Sequence, residues 1–441
     1  MTRTPWLHTA ATVGLTALVL AACGGGDGDR AASPAPEDTV TGTAPEGGER
    51  QNVDGKLKIG TVLPQTGDLA ALGPAMVEAV RMGVEHVNEA GGVLGEPIEL
   101  VEGDSGTNEQ IANSVVDDHL RNNVDAIIGA ASSRITLSII DKVTSARVVE
   151  CSPSNTGSNL TNYEADDPGF YFRTPPADNL QATALAELIA ADGFSNVGII
   201  ALNDDYGQGF AKSLTMALQK AGATAAVNVP YDPVGTEFSA DVQKLNEVKA
   251  DSVVVISFPD TGSKILREMI AKGLGPDSIA VYTADGMQSG EVPKLVDPNN
   301  PAVLDGVKGT APSSQGSEAF KQAFNEFAPE GTPQIFSAHA YDCVNIIALA
   351  AEKAGTDDPN LFRLEIVPIT KDGDKCKDYA SCKSLVDEGA DVDYEGAAGP
   401  LDFVKSGEPA AGTYEVWVFN AAAEDGYEVT KTRDVASTEA T

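Results

Sequence analysis

The chain has 441 residues, of which 65 are acidic and 30 are Lys or Arg, so its formal net charge at pH 7 is −35. A charge of this sign and size argues against a nucleic-acid partner and against a basic patch for anionic lipid. The length exceeds the ~250 to 300 residues that one hydrophobic core usually accommodates, so we expect two domains.

The first 22 residues have the order of a secretory signal. Arg3 precedes an apolar run, which ends in Leu-Ala-Ala directly before Cys23. The run is shorter than the ~20 residues that a membrane-spanning helix needs. The Leu-Ala-Ala-Cys block resembles the lipobox of bacterial lipoproteins, which implies that residues 1–22 are removed and that acylated Cys23 anchors the protein to the membrane. The alternative is an ordinary signal in which Cys23 is incidental.

Residues 23–54 are predicted to be a flexible tether. The segment consists mainly of Gly, Pro, Ala, Thr, Ser, Asp and Glu and has almost no large apolar residue. It therefore cannot bury enough surface to order itself. At the other end of the chain, residues 431–441 are predicted to be a disordered tail.

Short apolar runs alternate with longer amphipathic runs over the next part of the chain. The predicted strands are 58–63, 98–101, 126–130 and 148–151, and the predicted helices are 74–89, 109–122 and 134–145. This βαβ pattern is typical of a parallel sheet covered on both faces. After residues 175–176 (Pro-Pro) the alternation begins again and predicts a second α/β domain.

The last third of the chain has too few elements for a third domain. Two helices are predicted at 317–327 and 337–353, and two stretches alternate like antiparallel strands, 399–403 and 414–419. We expect these elements to complete two Rossmann-like lobes joined by a hinge with several crossovers. The first lobe then comprises residues 55–176 and 306–396, and the second comprises 177–305 and 397–430.

The loops at the carboxyl ends of the strands are the predicted binding region, because ligands of open α/β sheets bind there. Two such lobes form a cleft that suits closure around a small molecule. Residues 129–133 (Gly-Ala-Ala-Ser-Ser) lead from a strand into a helix, where free N–H groups and Ser133 could bind a carboxylate. The equally weighted alternative is that Ser132 or Ser133 only caps the helix.

Three further loops carry candidate groups. Residues 152–156 (Ser-Pro-Ser-Asn-Thr) offer hydroxyl, amide and backbone groups, although such residues more often form turns. Tyr206 follows a strand of the second lobe and is predicted to face the cleft, and the Gly-Gln-Gly after it lacks the third glycine of a dinucleotide-binding loop. Asp285 follows another strand and could hold an ammonium group, or it could only form an Asp-Gly turn.

The sequence lacks the residue patterns of common catalytic sites. It has no Gly-x-Ser-x-Gly motif, no Cys-x-x-Cys pair and only four histidines. His86 and His119 lie on predicted helix surfaces, where a solvated histidine is the ordinary case. His339 and Cys343 have the i, i+4 spacing of zinc ligands, but no third ligand is evident. We therefore expect a binding protein without a metal or cofactor.

Four cysteines follow Cys23, and an even number in an exported chain indicates disulfides. Cys376 and Cys382 lie close together in a polar loop and are predicted to pair. Cys151 would then pair with Cys343, although two separately buried thiols would give the same sequence pattern.

The order and spacing of the loop motifs resemble those of the type I periplasmic binding proteins of branched-chain amino acid ABC transporters. The resemblance covers residues 56–419. The matching stretches are 63–67 (Leu-Pro-Gln-Thr-Gly), 88–95 (Asn-Glu-Ala-Gly-Gly-Val-Leu-Gly), 128–133 (Ile-Gly-Ala-Ala-Ser-Ser), 152–156, 172–174 (Phe-Arg-Thr), 205–209 (Asp-Tyr-Gly-Gln-Gly) and 340–342 (Ala-Tyr-Asp).

The resemblance implies how the two ends of an amino acid are held. In that family a serine and a threonine of the two first-lobe loops bind the carboxylate, and they correspond to Ser133 and Thr156. Backbone carbonyls at Ser154 and Thr156 bind the ammonium group. An acidic residue of the second lobe completes the ammonium site, and its position corresponds to Asp285.

The resemblance also implies the walls of the site. Tyr206 and Phe258 correspond to aromatic residues of the second lobe that close over the ligand. Asn155 stands where the family usually has a small apolar residue, and Leu72 stands at an aromatic position near the side-chain pocket. One methylene in such a pocket is worth only ~0.8 kcal/mol, so these differences affect the preference among side chains.

The implied function is that of an extracytoplasmic, lipid-anchored protein that captures a branched-chain or related amino acid and delivers it to an ABC permease. One alternative is a sensor of the same fold, and another is a binder of an amide, urea-like or aromatic solute. A hydrolase that uses Cys151 or Ser133 is disfavoured because no base is placed beside either residue.

Overall fold

A computed structural model describes residues 53–161, 163, 169–313 and 316–436. Residues 1–22, Cys23 and nearly all of the predicted tether lie outside the described residues. None of the helices in the described ranges is long and apolar enough to cross a membrane.

Strands and helices alternate through most of the chain. The strands are β1 (Lys58–Val62), β2 (Glu99–Val101), β3 (Ala126–Gly129), β4 (Val149–Ser152), β5 (Tyr171–Arg173), β6 (Asn196–Leu202), β7 (Thr224–Tyr231), β8 (Ser252–Ile256), β9 (Ala280–Thr283), β10 (Lys308–Pro312), β11 (Asp374–Cys376), β12 (Val392–Tyr394), β13 (Ala411–Phe419) and β14 (Tyr427–Ala436). The helices are α1 (Gly73–Glu89), α2 (Glu109–Arg121), α3 (Ser133–Ser145), α4 (Asp178–Ala191), α5 (Asp205–Lys220), α6 (Ser239–Glu247), α7 (Pro259–Ala271), α8 (Glu291–Val296), α9 (Glu318–Phe327), α10 (Ser337–Ala354), α11 (Pro359–Ile366) and α12 (Tyr379–Asp387).

The first lobe is built on a parallel sheet with the strand order β2-β1-β3-β4-β5. Every residue of β3 and β4 is buried, as expected for parallel strands covered by helices on both faces. The late helix α10 packs against α1, β3 and β4 of this lobe. A side chain at Gly83 of α1 would lie 3.0 Å from Cβ of Val344, so the glycine permits this close helix packing.

The second lobe is built on a larger sheet with the strand order β14-β13-β10-β9-β8-β6-β7. Strands β6 to β10 are parallel to their neighbours within that group, and β13 is antiparallel to both β10 and β14. The chain crosses between the lobes after β5, after β10 and before β13. The α/β fold with two Rossmann-like lobes and a hinge of several crossovers is therefore as predicted.

Three predicted segments differ from the structure. Residues 308–312 were expected in the first lobe, but β10 pairs with β9 and β13 of the second sheet. Residues 431–436 were expected to be disordered, but they belong to β14, a largely exposed edge strand stabilised by its backbone ladder with β13. Residues 399–403 form no regular strand, and Phe403 makes only an isolated bridge with Pro409. The other lobe boundaries stay a prediction.

Two disulfides connect the late elements to their surroundings. Cys151 of β4 is bonded to Cys343 of α10 across a sequence separation of 192 residues. Cys376 of β11 is bonded to Cys382 of α12, six residues away. Both pairs are those that the sequence predicts. The first bond ties a returning helix to the first sheet, and cross-links over long loops restrict the unfolded chain most.

Candidate functional site

A cavity lies between loops of the two lobes at the carboxyl ends of their strands. The space between its walls, counting the part that is open to solvent, measures about 330 Å³. Its lining consists of Leu69, Leu72, Met76, Ala131, Ser132, Ser133, Ser154 and Thr156 from the first lobe, Tyr206, Phe258, Asp285 and Gly286 from the second lobe, and Phe336 at the start of α10. The structure thus brings together all the predicted ligand-binding residues except Asn155.

The first-lobe wall is built on the turn between β3 and α3. Gly129 has φ +135°, and a Cβ there would lie 2.4 Å from the carbonyl oxygen of Val62, so only glycine fits this turn. Ser133 is the first residue of α3, and its Oγ accepts a hydrogen bond from the backbone N–H of Gly157 at 3.2 Å. Within the described chain, Ser132 gives α3 no side-chain cap, and its buried Oγ has no hydrogen-bond partner.

These contacts bear on the two interpretations of the serine pair. A serine that only caps α3 would accept a hydrogen bond from a backbone N–H of the first turn. Instead, Ser132 and Ser133 line the cavity beside the amino end of a helix. That end carries unpaired N–H groups and a partial positive charge, which together favour an anion.

The loop that follows β4 also belongs to the first lobe, and its side chains form hydrogen bonds with the turn between β3 and α3. Ser152 Oγ donates to the carbonyl oxygen of Ala130 at 2.7 Å, and Ser154 Oγ donates to that of Ala131 at 3.2 Å. The two loops therefore form one preorganised wall.

Asn155 belongs to this tie and not to the cavity lining, which corrects its prediction as a ligand-binding residue. Its Nδ2 donates to the carbonyl oxygens of Ala130 and Ala131 at 3.0 and 2.9 Å, and its Oδ1 accepts from the hydroxyl of Tyr171 at 2.9 Å. The side chain is fully buried. Because these bonds use both of its amide hydrogens, Asn155 has no donor left for a ligand.

Asp285 supplies the negative group of the second-lobe wall. It lies in a short 3-10 turn directly after β9. Its Oδ1 accepts hydrogen bonds from the hydroxyl of Tyr206 at 3.0 Å and from Nε2 of Gln181 at 2.9 Å. Burial raises the pKa of Asp285 to about 6, while these two donors lower it. At neutral pH the carboxyl group is therefore ionised and can face a cation.

Two aromatic rings complete the second-lobe wall. Tyr206 and Phe258 are stacked, with ring centroids 5.4 Å apart and an interplanar angle of 9°. A Cβ at Gly286 would lie 2.6 Å from the carbonyl oxygen of Ser257 and 3.1 Å from the Phe258 ring, so glycine permits their close approach. Burial raises the pKa of Tyr206 well above its usual value, which keeps its hydroxyl a hydrogen-bond donor.

The remaining wall is apolar. Leu69, Leu72, Met76 and Phe336 contribute to it. Phe336 precedes α10 with φ 58°, a left-handed conformation that is rare for a bulky residue. The sequence alone does not single out Leu69, Met76 or Phe336, because apolar residues without a motif resemble ordinary core residues.

Contacts between the lobes border the cavity. The carboxyl group of Asp68 accepts from the backbone N–H of Thr261 at 3.2 Å and from its hydroxyl at 3.1 Å. At another edge, Nδ2 of Asn159 donates to Asp205 at 3.0 Å. Burial raises the pKa of Asp68 to about 6. The structure is therefore of a closed cleft, whose closure depends in part on first-lobe side chains reaching the second lobe.

The three histidines in the described ranges, His86, His119 and His339, lie in the packed structure and not in the cavity lining. His119, predicted on a helix surface, is buried, and its Nε2 lies 2.8 Å from the carbonyl oxygen of Thr61. His86 is half-buried and contacts the Tyr341 hydroxyl at 3.0 Å. His339 is buried, and Cys343 is engaged in a disulfide, so that pair does not form a zinc site. Among the described residues there is no cluster of three or more His, Cys, Asp or Glu that could hold a metal.

Comparison with known proteins gives consistent results over most of the chain. The profile of the family described as periplasmic binding protein matches residues 56–422. Leu/Ile/Val-binding protein homolog 1 of Brucella suis is 26% identical over 306 residues, which cover 68% of this chain and 79% of that protein. The chemotactic signal transduction system substrate-binding protein BasB of Halobacterium salinarum is 24% identical over 370 residues, which cover 81% and 85%.

A solved structure shows the same fold. The substrate-binding protein LivJ of the branched-chain amino acid transporter of Streptococcus pneumoniae, in complex with isoleucine, superposes with a TM-score of 0.70. The two sequences are 23% identical, and the superposition covers 87% of this chain and 100% of that one.

Proposed function

Since the chain belongs to the periplasmic binding protein family, a family of binding proteins and not of enzymes, we propose that it captures a branched-chain or related L-amino acid outside the cytoplasm and delivers it to an ABC permease. The observation that carries the proposal is the polarity of the cavity. Hydroxyls and a helix amino end form one wall, a carboxylate forms the opposite wall, and apolar side chains form the remainder.

The first-lobe wall suits a carboxylate. Hydrogen bonds can be donated by Ser133, Thr156 and the amino end of α3. The first-lobe residues that line the cavity include no acidic side chain. Hydrogen bonds to a charged group contribute about 1.5 to 3 kcal/mol each. Several such donors on one preorganised wall can replace the water lost by a carboxylate.

The second-lobe wall suits an ammonium group. Asp285 is nearly fully buried. The two hydrogen bonds that it accepts come from neutral groups, which do not neutralise its charge. A buried carboxylate without a counter-charge is costly, and a ligand ammonium group removes that cost. A ligand with a carboxylate alone, such as a benzoate, would leave Asp285 without a counter-charge, which disfavours the aromatic-acid alternative.

The apolar wall suits a short aliphatic side chain. Leu72, Met76 and Phe336 offer no polar side-chain group that could pair with a charged ligand side chain. Each methylene buried against such residues contributes about 0.8 kcal/mol. This is the basis for proposing leucine, isoleucine or valine over acidic, basic or amide side chains.

A sensor of the same fold is the second candidate. The relative that favours it is BasB, a substrate-binding protein of a chemotactic system, which is similar over 81% of this chain. Uptake measured in cells with and without this protein separates the two functions. Loss of uptake supports transport, whereas unchanged uptake with a lost response to the same amino acid supports sensing.

The lipid anchor at Cys23 is proposed from the lipobox-like sequence alone. A single acyl chain binds a membrane only marginally, so stable anchoring needs at least two chains on this cysteine. Mass spectrometry of the amino-terminal peptide should detect diacylglyceryl-Cys23 as the first residue of the mature protein. An unmodified Cys23, or cleavage at another position, would contradict the anchor and leave the binding proposal intact.

Isothermal titration calorimetry with the standard L-amino acids tests the proposed ligand class. We expect leucine, isoleucine or valine to bind with one site per chain, and acidic and basic amino acids to bind at least about a hundredfold more weakly, because each carries an unpaired charge into the cavity. The proposal is wrong if no amino acid binds or if a bound amino acid is chemically converted.

A further inference from the structure

Behind the cavity lies a second buried acid that the proposed function does not use. Asp178 is the first residue of α4, directly after the first crossing between the lobes, and its side chain is fully buried. Its backbone N–H donates to the carbonyl oxygen of Thr156 at 2.7 Å, which fixes it against the ligand-binding loop. Neither carboxyl oxygen makes a hydrogen bond of ordinary geometry with a described residue.

The charged and titratable groups around Asp178 do not favour its ionised form. Asp285 lies close enough to repel a second negative charge, and Asp204 adds to the repulsion. Arg173 is the cation that acts on Asp178, but its guanidinium donates to Glu408 at 2.7 Å, to the carbonyl oxygen of Gly157 at 2.9 Å and to Thr161 at 2.7 Å.

The elements packed against α4 supply no free counter-charge to this end of the helix. Tyr206 of α5 and Tyr414 of β13 present neutral phenols, since burial raises the pKa of each well above its usual value. Arg433 of β14 forms an ion pair with Glu187 near the other end of α4. Burial, followed by repulsion from Asp285, raises the pKa of Asp178 well above its usual value.

The two acids differ in the hydrogen bonds that they accept, and this difference favours the proton on Asp178. Asp285 accepts from Tyr206 and Gln181, and such donors stabilise the ionised form. Asp178 accepts no hydrogen bond of ordinary geometry from a described residue. When two buried acids interact, one keeps its proton, and it is the acid with the fewer donors.

We propose that Asp178 is a positioning residue that remains a protonated carboxylic acid at neutral pH and donates its hydrogen bond to the hydroxyl of Thr156. The role of Asp178 in ligand binding rests on the proposed capture of an amino acid, whereas its protonation does not. The Thr156 hydroxyl lies close enough to form a hydrogen bond with Asp178; as a donor it lowers the pKa of this acid, but burial and Asp285 raise that pKa more. If its oxygen accepts from Asp178, its own hydrogen is free to point into the cavity.

Two consequences follow for the ligand. The Thr156 hydroxyl is oriented as a donor toward a carboxylate, and it does not have to choose between donor and acceptor roles when the ligand arrives. The acid pair also carries one negative charge instead of two. One ammonium group therefore neutralises it, and the nearby ligand carboxylate is not repelled by Asp178.

Infrared spectroscopy of the ligand-free protein tests the protonation directly. At about pH 8, ordinary carboxylic acids are ionised. The described acids whose pKa is raised by burial to about 6 or 7 are ionised as well. A carboxylic acid C=O band that remains at this pH therefore belongs to a group such as Asp178. We expect this band in the wild-type protein and its loss in Asp178→Asn. Absence of the band from the wild-type protein overturns the proposal, whether or not an amino acid binds.

Calorimetry on two matched variants tests the donor role. Asp178→Asn keeps a neutral donor of similar size, and Asp178→Leu keeps the size but removes the donor. With the amino acid that binds tightest to the wild-type protein, we expect the first variant to bind within about threefold and the second to bind about fivefold to tenfold more weakly, as for one lost hydrogen bond.

The outcomes distinguish this inference from the proposed function. Equal weakening in both variants, with unchanged melting temperatures, would show that Asp178 acts as a carboxylate and would overturn the inference alone. If no amino acid binds to the wild-type protein, the proposed function and the donor role both fail. The infrared band of the wild-type protein then still decides whether Asp178 is protonated. The melting temperature of each variant shows whether that variant is folded.

Discussion

The two walls of the cavity use opposite ways of binding charge. The first-lobe wall is a neutral network in which side chains tie two loops together, as Asn155 does through the carbonyl oxygens of Ala130 and Ala131. The second-lobe wall depends on one ionised side chain, Asp285, held by two neutral donors. We predict from this comparison that the charge of a ligand carboxylate would be spread over several donors, whereas Asp285 would be the one charged partner of an ammonium group.

The largest effect is therefore expected on the second-lobe wall. Asp285→Asn keeps the size of the side chain but removes its charge, so a bound ammonium group would be desolvated without a counter-charge. We expect a loss of affinity of about a hundredfold or more in calorimetry. Asp277→Asn, the same change at an exposed position of the second lobe, is the matched control and should bind like the wild-type protein.

A smaller effect is expected from pH. The pKa of Asp285 is about 6, so lowering the pH from 7.5 to 5 protonates its carboxyl group, and we expect affinity to fall by about tenfold. In Asp285→Asn the same change in pH should have little effect. An equal fall in that variant would assign the pH dependence to another group, such as Asp68.

The same pKa shift gives the stability of the ligand-free protein the opposite dependence. The folded pKa of Asp285 is raised above its ordinary value of 3.8, so between about pH 4 and 6 the folded state holds more protons than the unfolded state. The contribution of Asp285 to stability therefore decreases as pH rises through this window. Thermal unfolding followed by circular dichroism should show a smaller decrease for Asp285→Asn than for the wild-type protein.

The neutral wall should tolerate the loss of one donor. Ser133→Ala removes a hydroxyl that lines the cavity, but the backbone N–H groups of α3 remain, so we expect affinity to fall by about fivefold to tenfold. Ser145→Ala, at the exposed carboxyl end of the same helix, is the control. A loss as large as that of Asp285→Asn would mean that the carboxylate also depends on a single partner.

The smallest effect is expected outside the cavity, at the contact that spans the lobes. Asp68→Asn weakens the two hydrogen bonds from Thr261 that help to close the cleft. Thr261 is a neutral donor and asparagine keeps an acceptor oxygen, so we expect affinity to fall by only about threefold. Small-angle scattering with saturating amino acid should show the same closed form as the wild-type protein, and an open form would mean that this contact is required for closure.

The sequence was informative where local patterns determine structure. Alternating strands and helices predict the two lobes. The turns after β3, β4 and β9 bring Ser133, Thr156 and Asp285 to one cavity, because the carboxyl ends of parallel strands meet at one edge. It was misleading for β14, whose polar residues resemble a tail although its backbone pairs with β13. An edge strand of this kind has no hydrophobic signal.

Other parts of the site depend on contacts between distant residues. The sequence alone predicts Asn155 as a ligand-binding residue because its hydrogen-bond partners, Ala130 and Ala131, lie about 25 residues away. Gln181 and Asp178 were missed because the first turn of α4 reaches the cavity only through the crossing between the lobes. No motif within either segment records these contacts.

Calorimetry with one amino acid and its two truncated analogues tests the central claim most directly. The analogue without the ammonium group lacks a partner for Asp285, and the analogue without the carboxylate lacks a partner for the first-lobe wall. For the amino acid that binds tightest, we predict that each analogue binds at least about a hundredfold more weakly. Binding of either analogue within about threefold of the intact amino acid would contradict the claim that the two walls hold opposite charges of one ligand.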